Sequence, residues 1–438
     1  MKESMMKDSA SYRRIPKPLD GGYGWVIVTS SFLLQAISGG IAFSVGVFFV
    51  EFLEAFKDTT GKTAWIGSIN TGLLFGAGPL ASILANKWGH RVVVILGGFL
   101  SSLGLLASAF AENVYTLYAT YGVITGLGFC FTYVPSVVIV GLYFDKRRNL
   151  AMGLGSAGFA CGNFIFAPIM RFLIITFGWR GGLIMCSGIC LNCCVLGALL
   201  SPLKLWSREY SVGPKISEKE GESIFNLSLL KDASFVIFLC NNVLWNIGSL
   251  ILLVICTDYA YKLGMQKSQG AILISVIGLC SLVGRLLVAV LANHKRCNRF
   301  LIFIASTAVS GVAIGLFPVA KTFALMVFFS ALYGLFFGTQ LGVLAVVTAE
   351  LFGVARLTSA YGYLMFGNGA GAMLGPPIAG WMYDLTLRYE ISFYLGGGVT
   401  VLSAAILVCI PILQRRNKST ATLTPLPETE VKLCDADC

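Results

Sequence analysis

Charge is what this chain of 438 residues has least of: Asp, Glu, Lys and Arg together make up 12%, where a soluble globular domain carries about 25%. With 56% hydrophobic residues and a mean hydropathy of +0.79, the chain has lipid as its main solvent. Histidine is nearly absent, with two residues, His90 and His294, both expected in loops. No nucleophile–base pair and no metal-ligand spacing falls inside the apolar stretches, so neither an enzyme nor a resident metal or cofactor is expected. A small-residue cleavage site is lacking after the basic N-terminal tail, and the first apolar stretch is too long for a signal-peptide core, so it is expected to remain as a helix.

Cysteine is not scarce, with thirteen residues, but most fall inside apolar stretches. Cys190 and Cys193 make a C-x-x-C by spacing alone, without a neighbouring His or acid, and are expected to pack rather than to bind metal. Cys434 and Cys438 do not fit a prenylation box.

The apolar stretches recur at membrane-spanning length, about 20 residues for about 30 Å of hydrocarbon. Their cores lie near residues 26–50, 64–86, 92–111, 116–141, 150–175 and 181–202, then 233–257, 269–293, 300–319, 322–349, 358–382 and 392–413. That predicts an all-α integral membrane protein of about twelve spans, six plus six. With both termini in the cytoplasm, 23 Lys and Arg fall on the inner side and 7 on the outer, the asymmetry that sets orientation. The net charge of +11 is thus mostly a topology signal, dispersed through short loops, and nucleic-acid binding is not expected. The expected organisation is an N-terminal tail (1–25), a first half (26–203), a cytoplasmic linker (204–232) carrying Lys215, Glu218, Lys219, Glu220 and Glu222, a second half (233–413), and a disordered cytoplasmic tail (414–438). A short surface helix within the linker is compatible with its composition.

The halves echo each other. Leu84-Ala85-Asn86-Lys87 after the second span is matched by Leu291-Ala292-Asn293-His294 after the eighth. Fifty glycines, many inside the spans, make small-residue faces that allow close helix approach, and Pro135, Pro168, Pro376 and Pro377 should bend their helices. No glycine run stands between a strand and a helix, which excludes a nucleotide-binding loop. Two parallel six-helix halves with a site between them resemble the major facilitator architecture.

Two longer motifs are more specific. Asp20-Gly21-Gly22-Tyr23-Gly24-Trp25 leads into the first span, and Tyr143-Phe144-Asp145-Lys146-Arg147-Arg148-Asn149-Leu150-Ala151 opens the fifth. They resemble the two signatures of the monocarboxylate transporter family, and Trp179-Arg180-Gly181, Gly375-Pro376-Pro377 and Asp384 fit as well. The resemblance covers about residues 17–413 and points to the branch of the family that does not carry lactate. It implies a multi-pass plasma-membrane carrier of small carboxylates with cytoplasmic ends. It also implies, for several members, a single-span immunoglobulin-like glycoprotein partner. The sequons at Asn226 and Asn417 fall on the expected cytoplasmic side, so this chain is not expected to be glycosylated at them.

Physically, Asp20 should cap the first span by accepting from free N–H groups. Gly21 and Gly22 should allow the tight turn there, and Tyr23 and Trp25 suit the interfacial belt. Tyr143, Arg147 and Arg148 are expected to anchor the loop before the fifth span. Both motifs are expected to be structural or to brace the halves in one access state.

Ionisable groups inside spans are costly and call for a reason. Arg285, about two helical turns from the inner end of the eighth span, is too deep to reach the interface and should face the space between the halves, where a guanidinium can hold a carboxylate. Arg171 is expected to reach the outer surface by snorkelling, Glu51, Glu54 and Asp258 to be solvated span ends, and Glu350 to bridge Arg356 or the loop before the fifth span. Polar lining candidates are Tyr133, Asn163, Asn242, Trp245, Asn246 and Asn368, with Gln35, Ser38, Ser44, Asn241 and Gln340 nearby in the pattern. Asn242 and Asn246 share a helix face beside Trp245, which suits either a polar substrate tail or bonds to a neighbouring helix.

The departures from the family matter for mechanism. In the proton-coupled lactate carriers, as the resemblance implies, the first span bears a Lys and the eighth an Asp four residues before its Arg. Here Phe43 and Ser281 stand at those places. Without a carboxylate that changes protonation, facilitative transport of a monocarboxylate or a zwitterion such as creatine or carnitine is expected. A proton-coupled lactate or pyruvate symporter and a ligand sensor without flux are the alternatives.

Overall fold

The computed structural model describes residues 12–16, 20–144, 147–201, 210–214, 229–291, 298–352 and 357–411. Lys146, His294, Lys295, Arg296, Arg356, the charged linker residues, both sequons and the tail lie outside these residues.

The first half begins with β1 (Tyr12–Pro16), α1 (Tyr23–Phe43), α2 (Val45–Phe56), α3 (Thr60–Gly76) and α4 (Gly78–Trp88). It continues with α5 (His90–Ala109), α6 (Val114–Leu117), a seven-residue π-helical stretch (Tyr118–Ile124), α7 (Thr125–Tyr143) and α8 (Arg148–Ala198). The second half comprises α9 (Ala233–Lys262), α10 (Lys267–Leu291), α11 (Arg299–Leu316), α12 (Phe323–Phe352), α13 (Leu357–Thr386) and α14 (Tyr389–Leu407). Between the halves, within the interval read as a linker, β2 (Tyr210–Pro214) pairs antiparallel with β1.

Nine helices among the described residues are long and apolar enough to cross a membrane, or ten if α3 and α4, bent by 49° at Ala77, form one span. Three breaks refine the sequence reading. The first span is interrupted at Ser44, whose N–H returns to the Gly40 carbonyl. The second bends at Ala77, and the 51-residue α8 leaves helical geometry at Gly178, φ 71°, where the turn between the fifth and sixth spans is expected. A left-handed φ of that kind favours glycine. Pro135, Pro168, Pro376 and Pro377 all sit inside helices.

Large aromatic and aliphatic side chains fill the interior, from Phe43, Phe48, Phe49 and Phe52 in the first span to Trp245, Ile251 and Tyr259 in α9. Exposed Leu, Ile, Val and Phe cover the outside, as a lipid-facing surface requires. Where helices of one half touch, small residues carry the contact. A Cβ added at Gly338 of α12 would stand 2.0 Å from the Ser281 carbonyl oxygen of α10, and one at Gly284 of α10 would stand 2.1 Å from the Leu335 carbonyl oxygen.

That approach cannot accommodate a branched side chain. Gly338→Val is expected to abolish monodisperse protein after detergent extraction, whereas Gly153→Ala, with nothing within 4 Å of the added Cβ, leaves the elution profile unchanged.

Candidate functional site between the two halves

The two signature motifs meet each other. Asp20 does not cap α1 as expected: Gly22, φ 53°, occupies that position without a side-chain bond. Instead the Asp20 carboxylate accepts from the Arg147 N–H at 3.4 Å, and the Asp20 N–H donates to the Tyr143 carbonyl at 3.2 Å. The reason is the turn at Gly21 and Gly22, which points Asp20 across to the start of α8. Gly24 lets the Phe144 ring lie against α1, with Trp25 edge-on to it at 5.2 Å. Tyr143 donates to the Ser201 carbonyl at 2.7 Å and Tyr23 to the Leu199 carbonyl at 2.7 Å. Among the described residues these bonds join α1, α7 and the two ends of α8, so they clamp elements of the first half to one another. Arg147 is exposed.

Between the halves, the polar contacts seen among the described residues concentrate at the end that carries Glu51. Lys267 of α10 donates to Glu51 at 3.0 Å and to Glu54 at 2.6 Å, and Arg171 of α8 donates to Glu51 at 2.8 Å. Glu51 and Arg171 are therefore not a solvated end and a snorkelling cation. Their side chains are 15% and 17% exposed, because each neutralises the other under the cover of α10. Glu54 is more open, as expected, but it too is paired.

Thr257 of α9 donates to the Gly46 carbonyl at 2.6 Å. Asp384, at the end of α13, accepts from Thr60 N–H at 2.9 Å and Gly61 N–H at 2.8 Å, capping α3 of the other half. The indole of Trp381 lies over Gly61, where a Cβ would clash with it.

Asp258 is likewise no solvated end. It is 3% exposed, bonded to the Tyr389 hydroxyl and paired with Lys262 at 3.1 Å. Lys262 in turn lies 3.8 Å from the centre of the Tyr383 ring. Glu350 pairs with Arg299 of the neighbouring α11; Arg356, one of its expected partners, lies outside the described residues.

Arg285 lies deeper. Its Nη1 donates to the Ser156 carbonyl of the other half at 3.1 Å, its Cζ stands 5.9 Å from the centre of the Phe159 ring, and Nε has no partner. Among the described residues no carboxylate pairs with it. The side chain is half-buried, and Tyr133, Tyr361 and Cys161 are within electrostatic reach. Tyr361 was missed by the sequence reading, where it stood as one aromatic among many at the start of a span; its place opposite Arg285 comes only from folding. Phe43 packs edge-on against Phe159 at 5.0 Å, and Ser281 is buried under Gly338. The two positions at which the resemblance implies charge are thus apolar and neutral here.

The other candidates divide. Tyr133 joins Phe75 and Phe159 in an aromatic group next to Arg285. Asn246 and Asn368 bond to each other, and Asn242 donates to the Leu364 carbonyl at 2.8 Å, so these amides tie α9 to α13. Asn163 is buried with its Oδ1 unpartnered, beside Gly278 of α10. Trp245 stacks on Phe337 of α12 at 5.3 Å.

Two helical halves, closed on each other at one end and holding an arginine in the interior between them, define a major facilitator carrier. The Major Facilitator Superfamily profile matches residues 31–339 and 233–433. A solved peptide transporter, a POT point mutant in complex with sulfate, superposes with a TM-score of 0.72 over 92% of this chain and 97% of its own, at 15% identity, which speaks for the fold. Monocarboxylate transporter 12 of Mus musculus is 33% identical, over 96% of this chain and 91% of its own length. Monocarboxylate transporter 2 of Homo sapiens is 34% identical over 90% and 86%. The chain belongs to the monocarboxylate transporter family and is a multi-pass membrane transporter.

The bridge through Lys267 crosses the halves at the Glu51 end. Lys267→Gln is expected to raise the reactivity of a cysteine placed at Val47, beneath the bridge, toward an impermeant thiol reagent roughly five-fold or more. Lys267→Arg should leave it near the starting rate, and an unchanged rate in Lys267→Gln would remove the bridge from the gate.

Proposed function

We propose that the chain moves small carboxylates across the plasma membrane by alternating access, facilitatively, with Arg285 as the carboxylate-binding group. The observation that carries this reading is the environment of Arg285: an interior guanidinium with one carbonyl partner, an unpartnered Nε and no counter-ion among the described residues. A charge in such a place costs several kcal/mol unless it is compensated. A substrate carboxylate offers that compensation through a bidentate pair. Tyr133, Tyr361 and Phe159 supply the walls. Twelve spans with both ends in the cytoplasm complete the proposed topology, with the Glu51 end outside.

The reading of proton independence rests on Ser281 and Phe43. A proton is coupled to an anion most simply by a carboxylate whose charge changes during the cycle. Beside Arg285 no such group stands among the described residues.

The test is uptake of labelled creatine, carnitine, lactate and pyruvate by cells displaying the chain, at external pH of about 6 and about 7.5, spanning the range in which a coupled carboxylate would titrate. Saturable uptake of at least one of them, equal at both pH values and reduced roughly thirty-fold or more in Arg285→Ala, is the expected result. Arg285→Lys should recover only part of it, since an ammonium lacks the planar fork. Uptake that rises at the lower pH would mean a proton-coupled symporter, and no uptake by surface-localised protein would favour a sensor.

A further inference from the structure

At about the depth of Arg285 along the helices, the second half holds another set of polar groups that folding has left without partners. Gln340 of α12 is 1% exposed, and neither its amide oxygen nor its amide nitrogen meets a partner. Trp245 of α9 is 1% exposed, and its indole N–H is also unmet. The Oδ1 atoms of Asn241 and Asn242 are unmet as well, although their Nδ2 atoms are fixed on the Ser403 and Leu364 carbonyls at 2.9 and 2.8 Å.

These atoms share one region. Tyr333 of α12 donates to the Ser249 carbonyl of α9 at 3.0 Å, and one turn along, Phe337 stacks on Trp245 at 5.3 Å. The next turn carries Gln340 to the level of Asn241 and Asn242. The register to Arg285 is set independently by α10. Gly338 is pressed against the Ser281 backbone, and a Cβ at Gly342 would stand 3.5 Å from the Arg285 Cα. Gln340 thus sits between the levels of Ser281 and Arg285, about 3 Å from Arg285 along the axis, and the Trp245–Phe337 pair about 7 Å from it.

A buried amide with both ends open is costly, and the usual remedy is a bond to a neighbouring helix, which Asn242 and Asn246 have found and Gln340 has not. We infer that Gln340 and the Trp245 N–H form a second substrate subsite, which takes a neutral group able both to donate and to accept hydrogen bonds. The inference rests on Arg285 holding the carboxylate. The substrate class is then a monoanion whose tail ends in an amide, urea or comparably polar neutral group several atoms from the carboxylate. A three-carbon acid such as lactate or pyruvate carries no such tail and leaves this subsite unfilled. No carboxylate stands among the described residues of this region to balance an ammonium, so the subsite selects against full positive charge except over the Trp245 face.

Two probes of equal shape separate the subsites: succinamate, with a terminal amide, and 4-methylpentanoate, in which methyl groups replace the amide oxygen and nitrogen. Binding to the purified, detergent-solubilised chain would be measured by thermal shift and by isothermal titration. The wild type is expected to prefer succinamate at least roughly tenfold, because the apolar isostere leaves Gln340 and Trp245 unpaired. Gln340→Leu should remove most of the preference, weakening succinamate and strengthening 4-methylpentanoate, without lowering the unliganded melting temperature, and Trp245→Phe should reduce the preference in part.

A preference that survives Gln340→Leu, or an equal affinity of the wild type for both probes, overturns the subsite while leaving the role of Arg285 standing. Affinity for either probe that persists in Arg285→Ala overturns the carboxylate assignment itself. Binding of neither probe by folded wild-type protein counts against both.

Discussion

The structure is organised around a guanidinium that no carboxylate pairs among the described residues. Arg285 sits inside an apolar bundle, braced by one carbonyl of the opposite half and by the edge of an aromatic group. Such a charge pairs with another group or a backbone carbonyl, or faces water or a ligand, and the proposed cycle uses a ligand. Close packing inside each half fixes the walls around that place. Gly284 and Gly338 let α10 and α12 lie nearly in backbone contact, and Gly158 and Gly162 do the same for α8 against α1. The cavity walls are stiff because the helices behind them cannot separate without losing that contact.

Stiff halves move as bodies, and the distribution of polar contacts fits such a motion. Among the described residues the signature motifs tie the first half together, where Asp20 binds the start of α8 and Tyr143 and Tyr23 bind its far end. Across the halves stand the largely buried ion pairs at Lys267 and a helix cap supplied by Asp384. Close glycine packing joins the halves as well, Gly369 against Gly76 and Gly380 against Gly61. Opening this end therefore needs water to replace both the pairs and the packing.

Much of this was legible in the sequence because the bilayer imposes strict rules. The spacing of apolar runs and the depth of Arg285 follow from length, periodicity and the cost of charge in lipid, while the two motifs were legible through a family resemblance. What escaped was pairing between distant elements. Arg171 and Glu51 each look like an interfacial charge in isolation, and they are 120 residues apart. Asp258 reads as a span end, yet Tyr389 and Lys262 cover it. Asp20 reads as a cap until Gly22 is seen to turn it toward Arg147. Tyr361 carried no signal beyond its residue type. The break at Ser44 lies in a continuous apolar run with no proline beside it, whereas Gly78 and Pro79 stand just after the break at Ala77 and are the signal that was passed over.

The most direct test is to measure two distances in one preparation by pulsed electron paramagnetic resonance, in a cysteine-depleted chain reconstituted in lipid. One label pair, at Lys57 and Leu263, spans the halves at the Glu51 end; the other, at Leu150 and Glu350, spans them at the opposite end. If the chain alternates access around Arg285, each pair shows two populations, and adding a bound carboxylate shifts the pairs in opposite senses, one closing as the other opens. A single fixed distance in both pairs, unchanged by the carboxylate and by Lys267→Gln, would contradict the account.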